Sequence, residues 1–165
     1  MNTSITVLRP TFDAVPADLQ EYRQWVGWRA QLKADGKLNK IPCSPHSGIT
    51  GDAHDPRNWS SYIEAIVAYI GFQLDGIGFV LTERDPFAGV DLDHCLDASG
   101  VVAPWAARIV ALLDSYTEVT PSGTGLRVLV RGTLPPGGRK RGDIEMYDRR
   151  RFLTVTGHVW KGPEA

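Results

Sequence analysis

No apolar run in this 165-residue chain approaches the ~20 residues that a membrane-spanning helix needs. The N-terminus, Met1-Asn2-Thr3-Ser4-Ile5, lacks a basic stretch followed by an apolar one, which argues against a secretory signal. Cysteine is scarce. Cys43 and Cys95 are too few for a disulfide framework, and a reducing cytoplasm is the expected location. Neither sign of charge dominates, and a net charge of −1 argues against a dedicated nucleic-acid coating protein. Internal repeats and low-complexity tracts are also missing. The remaining composition, 42% hydrophobic and 22% charged, is that of an ordinary globular chain. Its length suits one compact domain and is short for two.

Charge is nonetheless uneven. Arg139, Lys140, Arg141, Arg149, Arg150 and Arg151 place six bases within thirteen residues, interleaved with acids. Such a patch suits an enzyme that holds phosphates, while its plain alternative is a solvated hairpin. Residues 1–16 read as a loose lead-in ending at Pro16, residues 17–160 as one domain, and residues 161–165 as a tail. The stop soon after the last expected strand suggests a piece of a longer protein.

Within the domain, a short helix is expected over 18–24 and a strand over Trp25 to Ala30. The turn Ala34-Asp35-Gly36-Lys37 leads into a second hairpin arm, Leu38 to Ile41. Residues 42–58, rich in Pro, Ser, Gly, His and Asp, predict a long irregular loop. Ser61 with Glu64 is a capping-box pattern opening a helix to about Ile70. Apolar strands follow at Ile77 to Leu81 and Ala88 to Leu92, separated by Glu83-Arg84-Asp85-Pro86. Pro104 to Leu113 is amphipathic, with Trp105, Ile109 and Leu112 at helical spacing. Short strands are expected over 117–119, 126–130, 143–147 and 152–155. This order predicts an α+β sandwich: a mainly antiparallel sheet with helices on one face and the other face open to a ligand.

Chemistry concentrates in three places. In Gly89-Val90-Asp91-Leu92-Asp93-His94 an apolar strand ends in Asp-x-Asp, although acids are depleted from strands. Alternation puts Asp91 and Asp93 on one face, about 6–7 Å apart, with Leu92 turned into the core. Two such carboxylates repel unless a cation lies between them, and hard oxygen ligands favour Mg²⁺ or Mn²⁺. The plain alternative is a fraying strand end. In Thr120-Pro121-Ser122-Gly123-Thr124-Gly125-Leu126-Arg127 two glycines let backbone N–H groups approach phosphate oxygens. Ser122 offers a hydroxyl there and Arg127 a bidentate phosphate clamp. A simple glycine turn is the alternative, and no Gly-Lys-Ser/Thr follows to make it a P-loop. In Asp143-Ile144-Glu145-Met146-Tyr147, alternation puts Asp143, Glu145 and Tyr147 on one face above Ile144 and Met146. Glu145 is then the third carboxylate that a two-metal site needs; otherwise this is an edge strand with a solvent face.

Taken in order with Arg151-Phe152-Leu153-Thr154-Val155-Thr156-Gly157-His158, these segments resemble the primase-polymerase domain of phage and plasmid replication proteins, within the archaeo-eukaryotic primase superfamily. Upstream, Trp25-Val26-Gly27-Trp28-Arg29, Lys40-Ile41-Pro42, residues 55–59 and Ile77-Gly78-Phe79-Val80-Leu81 resemble its early segments. The resemblance covers roughly residues 22–160. It implies that Asp91 and Asp93 are catalytic metal ligands, that Ser122 contacts the incoming triphosphate, and that Glu145 is the third ligand, where many relatives have aspartate. Many relatives place histidine where Arg127 stands, and arginine cannot act as a neutral imidazole.

The fold implied is an RNA-recognition-motif-like sheet joined to an N-terminal α/β subdomain. The activity implied is template-directed joining of nucleoside triphosphates by two divalent ions. Its partners are a single-stranded DNA template and primer, with a helical accessory region and a helicase in the full-length protein, and no membrane. Lys40 is expected near a phosphate or the template, and His158, sharing parity with Thr154 and Thr156, near the nucleotide. Cys43, His46, His54 and Cys95 match no compact zinc finger. Trp25, Trp28, Trp59 and Trp105 read as core, although an exposed one could stack on a base. The rival readings are a non-catalytic nucleotide or single-strand binding module and a metal-dependent nuclease; the glycine loop argues against the latter.

Overall fold

The computed structural model describes residues 5–162. The first four residues of the expected lead-in and the last three of the expected tail therefore lie outside it. The chain runs α1 (Ala17–Gln20), β1 (Trp25–Leu32), β2 (Leu38–Cys43), a 3₁₀ turn (Pro56–Asn58), α2 (Tyr62–Gly71), β3 (Gly76–Leu81), β4 (Phe87–Leu92), α3 (Pro104–Leu113), β5 (Thr117–Val119), β6 (Leu126–Arg131), β7 (Lys140–Arg141), β8 (Ile144–Tyr147) and β9 (Arg151–Val155). This is an α+β fold with few helices. Its strands form not one sheet but two, ordered β2-β1-β3-β9 and β5-β6-β4-β8-β7, with every neighbouring pair antiparallel.

Local chemistry explains the elements. In the β1–β2 hairpin, Asp35 accepts the Lys37 N–H at 3.0 Å, and the arms pair from Leu32↔Leu38 to Gly27↔Cys43. Ser61 and Glu64 form the reciprocal cap of α2, at 3.1 and 2.8 Å. Pro104 opens α3, and Asp114 closes it in the left-handed region (φ 43°). The first helix, expected over 18–24, runs instead over Ala17–Gln20.

The division between sheets occurs at the turn after β3. There Asp85 accepts from Thr82 N–H (2.7 Å), Gln24 Nε2 (3.0 Å) and Phe87 N–H (3.0 Å), which bends the chain away from its own sheet. β4 then leaves for the second sheet, and only β9 brings the chain back, pairing Arg151–Val155 with β3.

Two cores result. Phe79 and Phe87 pack edge to face with Tyr22 and with each other, and Trp25 with Phe79 (ring centroids 5.3–6.1 Å apart), while Tyr62 lies tilted against Trp25 at 4.9 Å, in a cluster that also holds Leu81, Leu129, Tyr147 and Leu153. This cluster draws residues from both sheets, so the face expected to lie open to a ligand is largely packed. The second core lies on the other face of the five-stranded sheet, where Val90, Leu92, Leu126 and Val128 meet Ala106, Trp105 and Ile109 of α3. The helix presents Leu113 to that core, while Leu112, expected on the packed face, is 84% exposed.

The lead-in is docked rather than loose over its described residues. Leu8 N–H donates to Pro121 O, Thr11 N–H to Thr156 O, Tyr62 Oη to Phe12 O, and Val15 is buried. Gly157 is required at that contact: its φ is +69°, and a Cβ there would lie 1.9 Å from Thr11 O.

Candidate active site

Strand register lines up the charges. Asp91 on β4 lies opposite Arg127 on β6 and Glu145 on β8, while Glu118 on β5 lies opposite Arg127 and Lys140 on β7 opposite Glu145. A single row, Glu118–Arg127–Asp91–Glu145–Lys140, therefore crosses all five strands. The apolar residues between, Val90, Leu92, Leu126 and Val128, point to the α3 core and hold that register.

Asp91 is 8% exposed and its carboxylate is fully engaged. Arg127 donates through Nε to Oδ1 (2.6 Å) and through Nη2 to Oδ2 (3.2 Å), and the Tyr147 hydroxyl donates to Oδ2. Arg127, expected at the triphosphate, is itself buried; its Nη1 donates to the Thr154 carbonyl and to Thr154 Oγ1 (2.9 Å). The buried pair thus ties β4 and β6 of one sheet to β9 of the other.

Burial alone would raise the Asp91 carboxyl. The charge and hydrogen bonds of Arg127, with Tyr147 and Lys40, outweigh it and hold the group below the ordinary aspartate range. Asp93 goes the other way: burial raises it first, then the nearby Asp91, and Glu145 adds to the effect. Lys40 is pushed down to about 8, first by burial and then by Arg127, while Asp91 and Asp93 resist the shift. The three predicted carboxylates and Lys40 therefore share one electrostatic environment. Glu145 forms an ion pair with Arg151 (2.9 Å), whose guanidinium lies 4.8 Å from the Tyr147 ring centre.

The glycine loop closes over the end of β4. A Cβ on Gly125 would sit 2.9 Å from Leu92 O and 3.6 Å from Asp93 Cα, so only glycine lets the loop pass this close. Ser122 is exposed, with Oγ 2.8 Å from Thr124 Oγ1, and Gly123 turns the chain at φ +77° beside it. His158 stands apart from the carboxylates: its Nε2 lies 2.5 Å from Arg9 O, on the docked lead-in. Asp143 pairs with His94 at 3.1 Å. Among the described residues, no three His, Cys, Asp or Glu side chains converge closely enough to hold a metal ion.

Sequence reading overlooked Glu118. It is 2% exposed and accepts from Thr156 N–H and Gly157 N–H, both at 3.0 Å, and from Tyr116 Oη at 2.8 Å. Burial raises its carboxyl against those donors and Arg127. An acid at the centre of Thr117-Glu118-Val119 was the available signal, since strands disfavour acids.

Over 151 residues, 87% of its length, the chain is 37% identical to a DNA primase-polymerase of Nitratiruptor phage NrS-1. The chain is related to a primase-polymerase. It spans about 20% of that relative's length. No protein-family model matches the sequence. Among the described residues, no helix is long and apolar enough to cross a membrane.

Proposed function

We propose that residues 17–160 form the catalytic domain of a template-directed nucleotidyl transferase of the archaeo-eukaryotic primase superfamily, acting with Mg²⁺ or Mn²⁺. The observation that carries this reading is the gathering of Asp91, Asp93 and Glu145 on adjoining strands in a chain similar to a primase-polymerase. The donor types are those a hard divalent cation takes: Asp91 and Glu145 face each other as like charges, and Asp93 is raised first by burial and then by Asp91 and Glu145, although in this conformation the three do not close into a ligand cage. In the conformation described, Asp91 is held by Arg127 and Tyr147, so Asp93 and Glu145 carry the accessible oxygens. A bound divalent ion supplies charge neutralisation at the triphosphate and a lowered pKa at the primer 3′-hydroxyl.

The protein's own part is positioning. Arg127 keeps Asp91 ionised and fixed. Gly125 brings the glycine loop against Asp93, and the exposed Ser122 hydroxyl on that loop is the group offered to a triphosphate. Lys40 stays mostly protonated at pH 7 and offsets the carboxylate charge. The full-length protein's accessory region and helicase belong to the same reading.

The test is incorporation of labelled nucleotide on a primed template with Mg²⁺ or Mn²⁺. Asp93→Ala should abolish it while the circular dichroism spectrum is retained, and Asp91→Ala should abolish it at a cost in stability, because it leaves Arg127 buried without its partner. Either variant working near the wild-type rate would remove the carboxylates from the reaction. A wild-type protein that binds nucleotide without incorporating it would establish the binding-module reading instead.

A further inference from the structure

The basic run and Trp59 are left over once the carboxylate site is assigned, and the fold brings them together. Two clefts, of about 360 and 420 Å³, adjoin at Trp59, Thr82 and Glu83. One is lined also by His54, Arg149 and Arg150, the other by Arg23 and Arg84. Trp59 is half-buried, its indole N–H anchored to Ala53 O at 2.8 Å, which fixes the ring at the junction.

Carboxylates are present too, but most are already matched. Glu83 pairs with Arg149 (3.2 Å), Asp148 with Arg149 (3.1 Å), Asp55 with Arg57 (2.8 Å) and Glu64 with Arg23 (3.1 Å). Arg84 and Arg150 are exposed and make no ion pair among the described residues. Arg150 is held at φ 53° in the left-handed region, with its N–H on Leu81 O at 3.0 Å, which fixes the backbone at the cleft wall. The next residue, Arg151, meets Glu145 and Tyr147, and Tyr147 touches Asp91.

We infer that the joined cleft at Trp59, flanked by Arg84 and Arg150, binds single-stranded nucleic acid and leads it towards Asp91. An anchored aromatic ring between uncompensated arginines suits a strand whose bases can stack while its phosphates meet the guanidinium groups. Duplex bases are already stacked on each other and gain nothing from the ring. This deepens the proposed function, since it supplies that reading with a path for the template strand.

The test is fluorescence anisotropy with a labelled deoxythymidine oligonucleotide over a range of salt. Trp59→Ala should weaken binding about tenfold and Trp59→Phe much less. Arg84→Ala with Arg150→Ala, both exposed and safe for the fold, should lower the slope of log affinity against log salt by roughly 1.4. The inference is overturned if the double-arginine variant keeps the wild-type slope and affinity, or if a duplex of equal length competes as well as the single strand. Asp93→Asn, which the fold tolerates, should leave the oligonucleotide affinity unchanged. Retained binding with incorporation lost supports both readings, and incorporation surviving in Asp93→Asn sinks the proposed chemistry while leaving the groove in place.

Discussion

The two faces of the five-stranded sheet are built from the same strands on opposite principles. Towards α3, Val90, Leu92, Leu126 and Val128 form a surface without a charge. Towards the four-stranded sheet, the alternate positions carry the row Glu118–Arg127–Asp91–Glu145–Lys140. The apolar face is non-directional and tolerates small shifts, whereas the charged face needs each partner opposite the right one. Period-two alternation lets one secure the other: hydrophobic burial fixes the register, and the register aligns the charges.

The difference can be broken most severely at Arg127. Arg127→Ala leaves Asp91 buried without its partner and should cost about 3–5 kcal/mol of stability, read as a lower urea midpoint. Arg127→Lys should recover only part, because one ammonium cannot serve both Asp91 oxygens and Thr154. A urea midpoint unchanged in Arg127→Ala would show that the row contributes no stability.

Leu126→Ala on the opposite face should cost about 2–4 kcal/mol through a cavity under α3. Its incorporation rate per folded molecule should stay near wild type, whereas Arg127→Ala should lose activity even when folded. Equal activity losses in the two variants would mean that the faces are not functionally separate.

Acid and base sharpen the contrast within the row. Asp91 is held low, so its contribution is present above the ordinary aspartate pKa of about 3.9 and is lost as pH falls through its folded value. Glu118 is raised, so its contribution is present below the ordinary glutamate pKa of about 4.3 and is lost as pH rises through its folded value. Glu118→Gln gives up one acceptor for the Thr156 and Gly157 N–H groups and should be less stable than wild type at low pH. That gap should narrow as pH rises above about 4.3 in urea titrations; a widening gap would reverse the assignment.

The smallest expected change in stability is at Asp93. Asp93→Asn relieves repulsion with Asp91 at a half-buried position, so its melting temperature at pH 7 should equal or slightly exceed wild type, within about 1 kcal/mol. A clear loss of stability would mean that Asp93 has a structural partner in the folded chain.

Much of this was legible in residues read alone. The Asp-Gly hairpin, the Ser61–Glu64 cap and most strands follow from turn chemistry and alternation, which are local. Asp91, Asp93 and Glu145 were picked out because acids in apolar strands demand a reason, and the register brings Asp91 opposite Glu145 with Asp93 beside them. What escaped depends on distant contacts. That β3 and β4 part company rests on Asp85 reaching Gln24, 61 positions away. The burial of Arg127 depends on Thr154, and the part played by Glu118 depends on the backbone at Thr156 and Gly157. Leu112 and Leu113 are adjacent apolar residues, and only the packed orientation of α3 shows which one is covered.

The return of β9 has a consequence for how the molecule comes to be folded. β8 ends in one sheet at Tyr147, and after three residues β9 begins in the other at Arg151, against a strand some seventy positions earlier. Until that last strand docks, β3 has an open edge, Arg127 lacks Thr154, and the aromatic cluster lacks Leu153. Closure of both layers is thus postponed until β9 has been made, and so many long-range pairings slow the search for the native topology. The nascent chain carries an unsatisfied strand edge during that interval, so the risk of misassociation is greatest just before the final five residues of β9 are placed.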